Sequence, residues 1–216
     1  MINIITIERE YGCGGAEIAR SLAQELGWKL WDELLTEEIA RLANCPKAVI
    51  EVREERTDPL YYRLFKSFLR GSYEGSINAH KLKEVDSESI LRITQRVVQH
   101  AAEKGNSVIV GRGSQHFLRN RPGTLRVFLY APREEKVRRL LARGKTAEDA
   151  EHLVDTVDRD RSHFIQKYFN VEWPDRATYH TMLNTAIGDK CAVQMILGLL
   201  SAFGPKCAAP VSQSAL

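Results

Sequence analysis

The sequence predicts an α/β fold, one domain built on a five-stranded, mostly parallel sheet. Three observations carry this. Five short segments rich in strand formers recur along the chain. Helix-patterned segments lie between them, as crossover connections require. The first strand runs straight into a glycine-rich turn that opens a helix. With 216 residues, 44% of them hydrophobic, the chain can bury one full core and carry a small inserted lobe.

The strand candidates are Ile2–Ile7, Trp28–Trp31, Ser107–Val110, Leu125–Tyr130 and Thr181–Asn184. The first, third and fourth are dense in Val, Ile, Leu and Phe, as strands buried on both faces should be. Among the helices, Ala16–Leu26 places Ile18, Leu22 and Leu26 on one stripe and stops at Gly27. Glu88–Lys104 aligns Ile90, Ile93, Val97 and Ala101 and stops at Gly105. Pro132–Leu141 opens with a proline suited to a first turn. Thr146-Ala-Glu-Asp149 is a capping box that starts a helix running toward Tyr168.

Two stretches exceed what simple crossovers need. Residues 33–85 read as an inserted helical lobe, with an amphipathic segment at Pro59–Leu69 and a polar loop at 71–86. Residues 143–170 carry a dense run of charge and read as a lid. No repeat or second domain is visible. The reading is one domain over 1–204 and a small, polar, frayed tail over 205–216.

Composition narrows the function. The formal charge is +3, from 31 basic and 28 acidic residues, so no overall nucleic-acid signature exists. The cysteines Cys13, Cys45, Cys191 and Cys207 are scattered and form no zinc or disulfide pattern. No signal peptide or bilayer-length apolar run is seen. A cytoplasmic protein with no membrane or nucleic-acid partner is expected, as monomer or homodimer.

The turn lies in EREYGCGGAEIA, residues 8–19. A strand–turn–helix of this kind points backbone N–H groups and the positive end of a helix dipole at one spot, and glycines let a phosphate approach. Candidate phosphate-binding residues are Gly12, Cys13, Gly14, Gly15, Ala16 and Glu17. Against the pattern G-x-x-x-x-G-K-[ST], Arg9 replaces the first glycine, Gly15 the lysine and Ala16 the Mg²⁺-binding hydroxyl residue. Cys13, near a helix N-terminus, is a small loop residue with a minor redox reading. A dinucleotide site, with Asp32 twenty residues after Gly12, and a bare tight turn stay open beside phosphate binding.

Other features favour the phosphate. VIVGRG, residues 108–113, ends the third strand with Arg112 between two glycines. In an open parallel sheet the carboxyl ends of strands one to three bring the glycine turn, Asp32 and Arg112 to one edge. An arginine there suits a phosphate. In DRDR, residues 158–161, Asp158 and Arg161 share a helix face, and Arg159 points elsewhere. Positive charge on a closing element suits phosphoryl transfer.

With IEREYGCGGAEIARSLAQELG, WDELLTEEIA, VIVGRGSQHFL, RVFLYAPREEKVRRL, DRDRSHFIQKYFN and TMLNT in order, the chain resembles the cytidylate kinase-like family, a branch of the P-loop nucleoside monophosphate kinases, over roughly residues 2–200. The resemblance implies a three-layer P-loop NTPase-type fold with an inserted helical acceptor lobe and a charged lid. It implies ATP as donor, Mg²⁺ as cofactor and a small nucleotide as acceptor, with CMP or dCMP first. The donor cradle maps to Gly12–Glu17, and Arg9 is placed to supply the charge that Gly15 lacks. Arg112 keeps an acceptor-binding arginine, while Gly113 takes the position of its aspartate partner, which weighs against cytosine specificity. Asp158 and Arg161 match the lid's Asp-x-x-Arg. A further lid arginine falls on Val154, and Arg159 or Arg143 would compensate. Asp32 is the best-placed carboxylate for acceptor or Mg²⁺-water contacts, or else a helix N-cap, with Glu10 second. Arg112, Asp158, Arg159 and Arg161 are thus the candidate catalytic residues. No residue is assigned as a metal ligand. The rival readings are an inactive nucleotide-binding sensor, favoured by Gly15 and Ala16, a kinase for another small acceptor, favoured by Gly113, and hydride transfer last.

Overall fold

A computed structural model describes residues 1–42 and 87–203. The amphipathic segment 59–69, the loop 71–86, most of the expected acceptor lobe and the tail 205–216 lie outside the described residues.

The strands are β1 (Ile4–Arg9), β2 (Lys29–Trp31), β3 (Ser107–Val110), β4 (Thr124–Tyr130) and β5 (Thr181–Asn184). They form one sheet in the order β2-β3-β1-β4-β5, and every neighbouring pair is parallel. The helices are α1 (Gly15–Leu26), α2 (Glu33–Leu42), α3 (Ser87–Glu103), the single turn α4 (Ser114–Phe117), α5 (Arg133–Ala142), α6 (Ala147–Phe169) and α7 (Asp189–Ala202).

Helices cover both faces of the sheet, because side chains along each strand alternate between them. Ile4 and Ile109 face a core shared with Trp31 of β2 and with Leu35, Val98 and Phe164 of α2, α3 and α6. Ile5, Ile7, Val108 and Val110 face the opposite core with Ile18 and Leu22 of α1 and Val193 and Ile196 of α7. Each such fully buried aliphatic side chain contributes roughly 1.5–3 kcal/mol. β1 is central, so the turn that follows it leaves the sheet between two buried neighbours.

The end signals act as read. Gly27 caps α1 in the left-handed conformation, with φ 64°. The Thr146 side chain accepts the Asp149 N–H at 3.1 Å and starts α6. The segment expected as a lid is therefore mostly one helix, and its C-terminal half is anchored by Phe164 and Ile165 in the core. Among the described residues, no helix is long and apolar enough to cross a membrane.

Candidate active site

The first correction concerns β1. It runs two residues past the expected Ile7, and Glu8 and Arg9 pair in register with Phe128 and Leu129 of β4. Two charged residues inside a central strand are costly to bury unless they are paired. Glu8 is held: its carboxylate accepts the Arg9 N–H at 3.0 Å and the Gln115 side-chain amide at 3.0 Å. Its Oε1 also lies 3.5 Å from Arg9 Nη1.

Arg9 then runs between two loops. A Cβ added at Gly15 would lie 2.8 Å from Arg9 Cγ, and one added at Gly111 would meet the Arg9 guanidinium. The glycine turn after β1 and the turn after β3 thus close on one side chain. Arg9 is only 5% exposed.

The turn after β3 is unusual backbone. Gly111, Arg112 and Gly113 all have left-handed φ, at 63°, 59° and 66°. For arginine this conformation is unfavourable and persists only where surroundings impose it. Its side chain is 3% exposed and donates from Nη2 to Thr36 Oγ1 of α2 at 2.6 Å. Its Nε, equally buried, has no partner among the described residues. Burial pulls the guanidinium down to about 9, opposed by Asp32 and reinforced by Arg9 and Arg161. At neutral pH it stays charged, so this is a buried cation whose desolvation is not fully offset. Asp32, at the end of β2, contributes to the site through that field.

Arg161 completes the set at 7% exposed, held below its usual range by burial and by Arg9. Its Nη1 donates to the Arg9 carbonyl at 2.8 Å. Asp158 accepts the Tyr11 N–H at 2.7 Å. The Asp-x-x-Arg pair of α6 therefore grips the backbone of the glycine turn on both sides of Glu10. Burial raises the Asp158 carboxyl above its ordinary range, against the pull of Arg161 and Lys136.

The turn carries free anion-binding capacity. Ala16 and Glu17 in the first turn of α1 have no intrahelical acceptor for their N–H groups, and the chain folds so that Gly12, Gly14, Gly15, Ala16 and Glu17 line one pocket with Arg9, Arg143 and Arg161. Glu17, an awkward charge for a phosphate site, is paired with Arg143 at 2.8 Å. Cys13 is buried and its thiol is pushed up to about 12, chiefly by burial, the opposite of the lowering a helix N-terminus would give. Its carbonyl accepts the Thr185 hydroxyl at 2.6 Å.

Arg159 is not brought to the cluster. One position on from Asp158 it turns about 100° round the helix and is exposed. Val154, where a further lid arginine would fall, is buried with Leu140 and Ala150 in an apolar seam between α5 and α6. Gly113 faces Phe169: a Cβ there would lie 2.7 Å from the Phe169 ring. His116 stacks on the same ring at 4.4 Å, in a structural role. An aromatic thus fills the space beside Gly113.

Lys136 was missed by the sequence reading. Its Nζ lies 3.0 Å from Glu10 Oε2 and 3.3 Å from Asp158 Oδ2. Burial lowers its affinity for the proton, and the two carboxylates outweigh that and hold it raised. The signal was present: Lys136 precedes the apolar Leu140 by one turn, and a charge on a buried stripe is rarely unpaired. Among the described residues, no group of three or more His, Cys, Asp and Glu side chains is placed to hold a metal ion.

Against a cytidylate kinase from Methanosarcina barkeri, the chain is 29% identical over 93 residues, 42% of its own length and 51% of the relative's. It thus spans about half of that relative. Among solved structures, an uncharacterised protein from Eubacterium ventriosum superposes with a TM-score of 0.67 at 20% identity, covering 94% of this chain and 99% of the other. Shikimate kinase from Bacteroides thetaiotaomicron gives 0.53 at 15% identity over 92% and 98% of the two chains. Shikimate kinase from Acinetobacter baumannii, solved with shikimate, gives 0.53 at 17% identity over 94% of each. These likenesses show a P-loop kinase fold. The family model described as "Cytidylate kinase-like family" matches residues 4–187, most of the chain, and the protein belongs to that family.

Proposed function

We propose that the protein transfers the γ-phosphoryl group of ATP to a nucleoside monophosphate, with CMP or dCMP as the first acceptors to test. One observation carries the reading. The buried Arg9 and Arg161 line the pocket at the glycine turn, where α1 begins, and the buried Arg112 guanidinium feels the repulsion of both. A spread negative charge at that point would offset the repulsion and the desolvation together. In the transfer, a bond forms from an acceptor phosphate oxygen to the γ-phosphorus. The bond from phosphorus to the β,γ-bridging oxygen breaks, and its electron pair leaves with ADP. Such a step needs positioning and charge more than a general base.

Each residue has a role in this scheme. Gly12 to Glu17 cradle the donor phosphates. Arg9 lies between donor and acceptor turns and faces the group in transit, in place of the lysine that Gly15 lacks. Arg112 and Asp32 face the acceptor. Asp158 and Arg161 hold the turn in shape. Mg²⁺ arrives with ATP.

Phe169 beside Gly113 favours a second reading. No carboxylate can stand where cytidylate kinases carry theirs, so a phosphorylated or hydroxylated small acceptor without a cytosine ring is the next class to test. ADP release measured with each acceptor tests both readings. The proposal expects acceptor-stimulated release in the native protein and at least a tenfold loss, about 1.4 kcal/mol, in Arg9→Ala. Unchanged affinity and turnover in Arg9→Ala would remove Arg9 from the mechanism.

A further inference from the structure

We infer that this chain binds the donor triphosphate without giving Mg²⁺ a ligand from any of the described residues, and that guanidinium charge from Arg9 stands in for the lysine and metal-linked hydroxyl of related loops. The inference rests on the nucleotide-binding reading above.

The donor set on the page carries it. The pattern for such loops ends in Lys-Ser/Thr, with the hydroxyl on Mg²⁺. The corresponding residues here are Gly15 and Ala16, and Ala16 lines the pocket with no oxygen to offer. Mg²⁺ demands oxygen ligands in near-octahedral array at about 2.0–2.1 Å. The carboxylates around the turn are committed elsewhere. Glu10 and Asp158 hold the Lys136 ammonium at 3.0 Å and 3.3 Å, so a dication on either would lie against a like charge. Asp158 also accepts the Tyr11 N–H. Glu8 is filled by the Arg9 N–H and the Gln115 amide. Glu17 is paired with Arg143. Asp189, beside Gly14, is paired with Arg139 at 2.7 Å. Asp32 follows β2, two strands from β1, where its field acts on Arg112.

The positive charge that such a loop needs is present in another form. Arg9 takes up the volume beside Gly15, and its guanidinium reaches the turn at Gly111. A site neutralised this way does not discriminate against the more highly charged, metal-free nucleotide.

Calorimetric titration of the full chain with the β,γ-imido analogue of ATP tests this, once in excess EDTA and once in excess MgCl₂. The expected result is binding in EDTA at least as tight as in MgCl₂. Ala16→Ser is expected to create a dependence, with Mg²⁺ tightening binding by more than about threefold. Tightening of the native protein by Mg²⁺ beyond about threefold overturns the inference and leaves nucleotide binding intact. Metal-indifferent binding by Ala16→Ser also overturns it, since the absent hydroxyl would then not be the cause. No binding in either buffer removes the nucleotide-binding reading, and the inference with it.

Discussion

Arg9 and Gly15 compete for one volume: a Cβ on Gly15 would lie 2.8 Å from Arg9 Cγ and 2.9 Å from Arg9 Cβ. These are the stiff, inner atoms of the arginine, and the strand holds them in place. A side chain at position 15 and an arginine at position 9 therefore fit together only if one of them or the backbone shifts. A lysine at position 15 of the usual loop would have to share that volume with the inner atoms of Arg9.

Gly15→Lys alone is accordingly expected to destabilise the fold by about 1–3 kcal/mol, the ordinary cost of overpacking. Arg9→Ala/Gly15→Lys removes the contact with Cγ but keeps the one with Cβ, and should recover part of that loss. Chemical denaturation of both variants checks this. Equal stability of the single and double variants would mean that the two side chains do not meet.

Phe169 explains Gly113 in the same way. Gly113→Asp and Gly113→Ala should both lower the melting temperature, each costing about 1–3 kcal/mol from the ring contact and the left-handed φ of 66°. Gly113→Asp should not raise activity toward CMP. A gain in CMP turnover with unchanged stability would show that the aspartate position is open.

Lys136→Met takes the ammonium from the half-buried Glu10 and Asp158 and leaves Asp158 with Arg161. The expected loss is about 1–3 kcal/mol, between that of an exposed pair and a buried one. Asp158→Asn in the same background should restore part of it. A loss below about 0.5 kcal/mol, as for surface substitutions, would mean that Lys136 does not hold the two acids.

Glu135 supplies a pH dependence. Its hydrogen bonds from Arg138 and Arg139, both 2.7 Å, hold its carboxyl down to about 2 from an ordinary 4.5. A depressed carboxyl stabilises the fold above its unfolded value and loses that contribution as pH falls through the folded one. Stability should therefore fall between about pH 4.5 and 2 in the native protein, and less steeply in Glu135→Gln. Parallel acid limbs for the two proteins would contradict the pairing.

Cys13 and Cys191 should differ in reactivity. Cys13 is buried with its thiol pushed up to about 12, and Cys191 is exposed. Iodoacetamide on the folded protein should modify Cys191 and spare Cys13, read by peptide mass. Labelling of Cys13 at a similar rate would show the turn to be open.

Much of the fold was legible in the sequence. The cores of β1, β3 and β4 were visible as runs of branched apolar residues, and Gly27, Pro132 and Thr146 marked helix ends where local chemistry decides the boundary. The end of β1 was not visible, because Glu8 and Arg9 look like surface charges until Gln115 and the glycines at 15 and 111 surround them. The helix Asp189–Ala202 went unread, because its apolar residues wrap round it, with Ile196 buried and Met195 exposed. The site residues came from motifs, and their partners did not. Tyr11 and Asp158 lie 147 positions apart, and Arg112 and Thr36 lie 76 apart. Contacts of that separation follow from sheet order, which local pattern does not specify.

The most direct test of the central claim is phosphorus NMR of the purified protein with ATP and Mg²⁺, against CMP, dCMP, UMP, AMP, GMP and no acceptor. The account predicts a new diphosphate resonance together with ADP for one acceptor, absent in Arg112→Ala. ATP bound but unchanged with every acceptor would contradict it, and would leave a turn that holds a phosphate without moving it to a nucleotide.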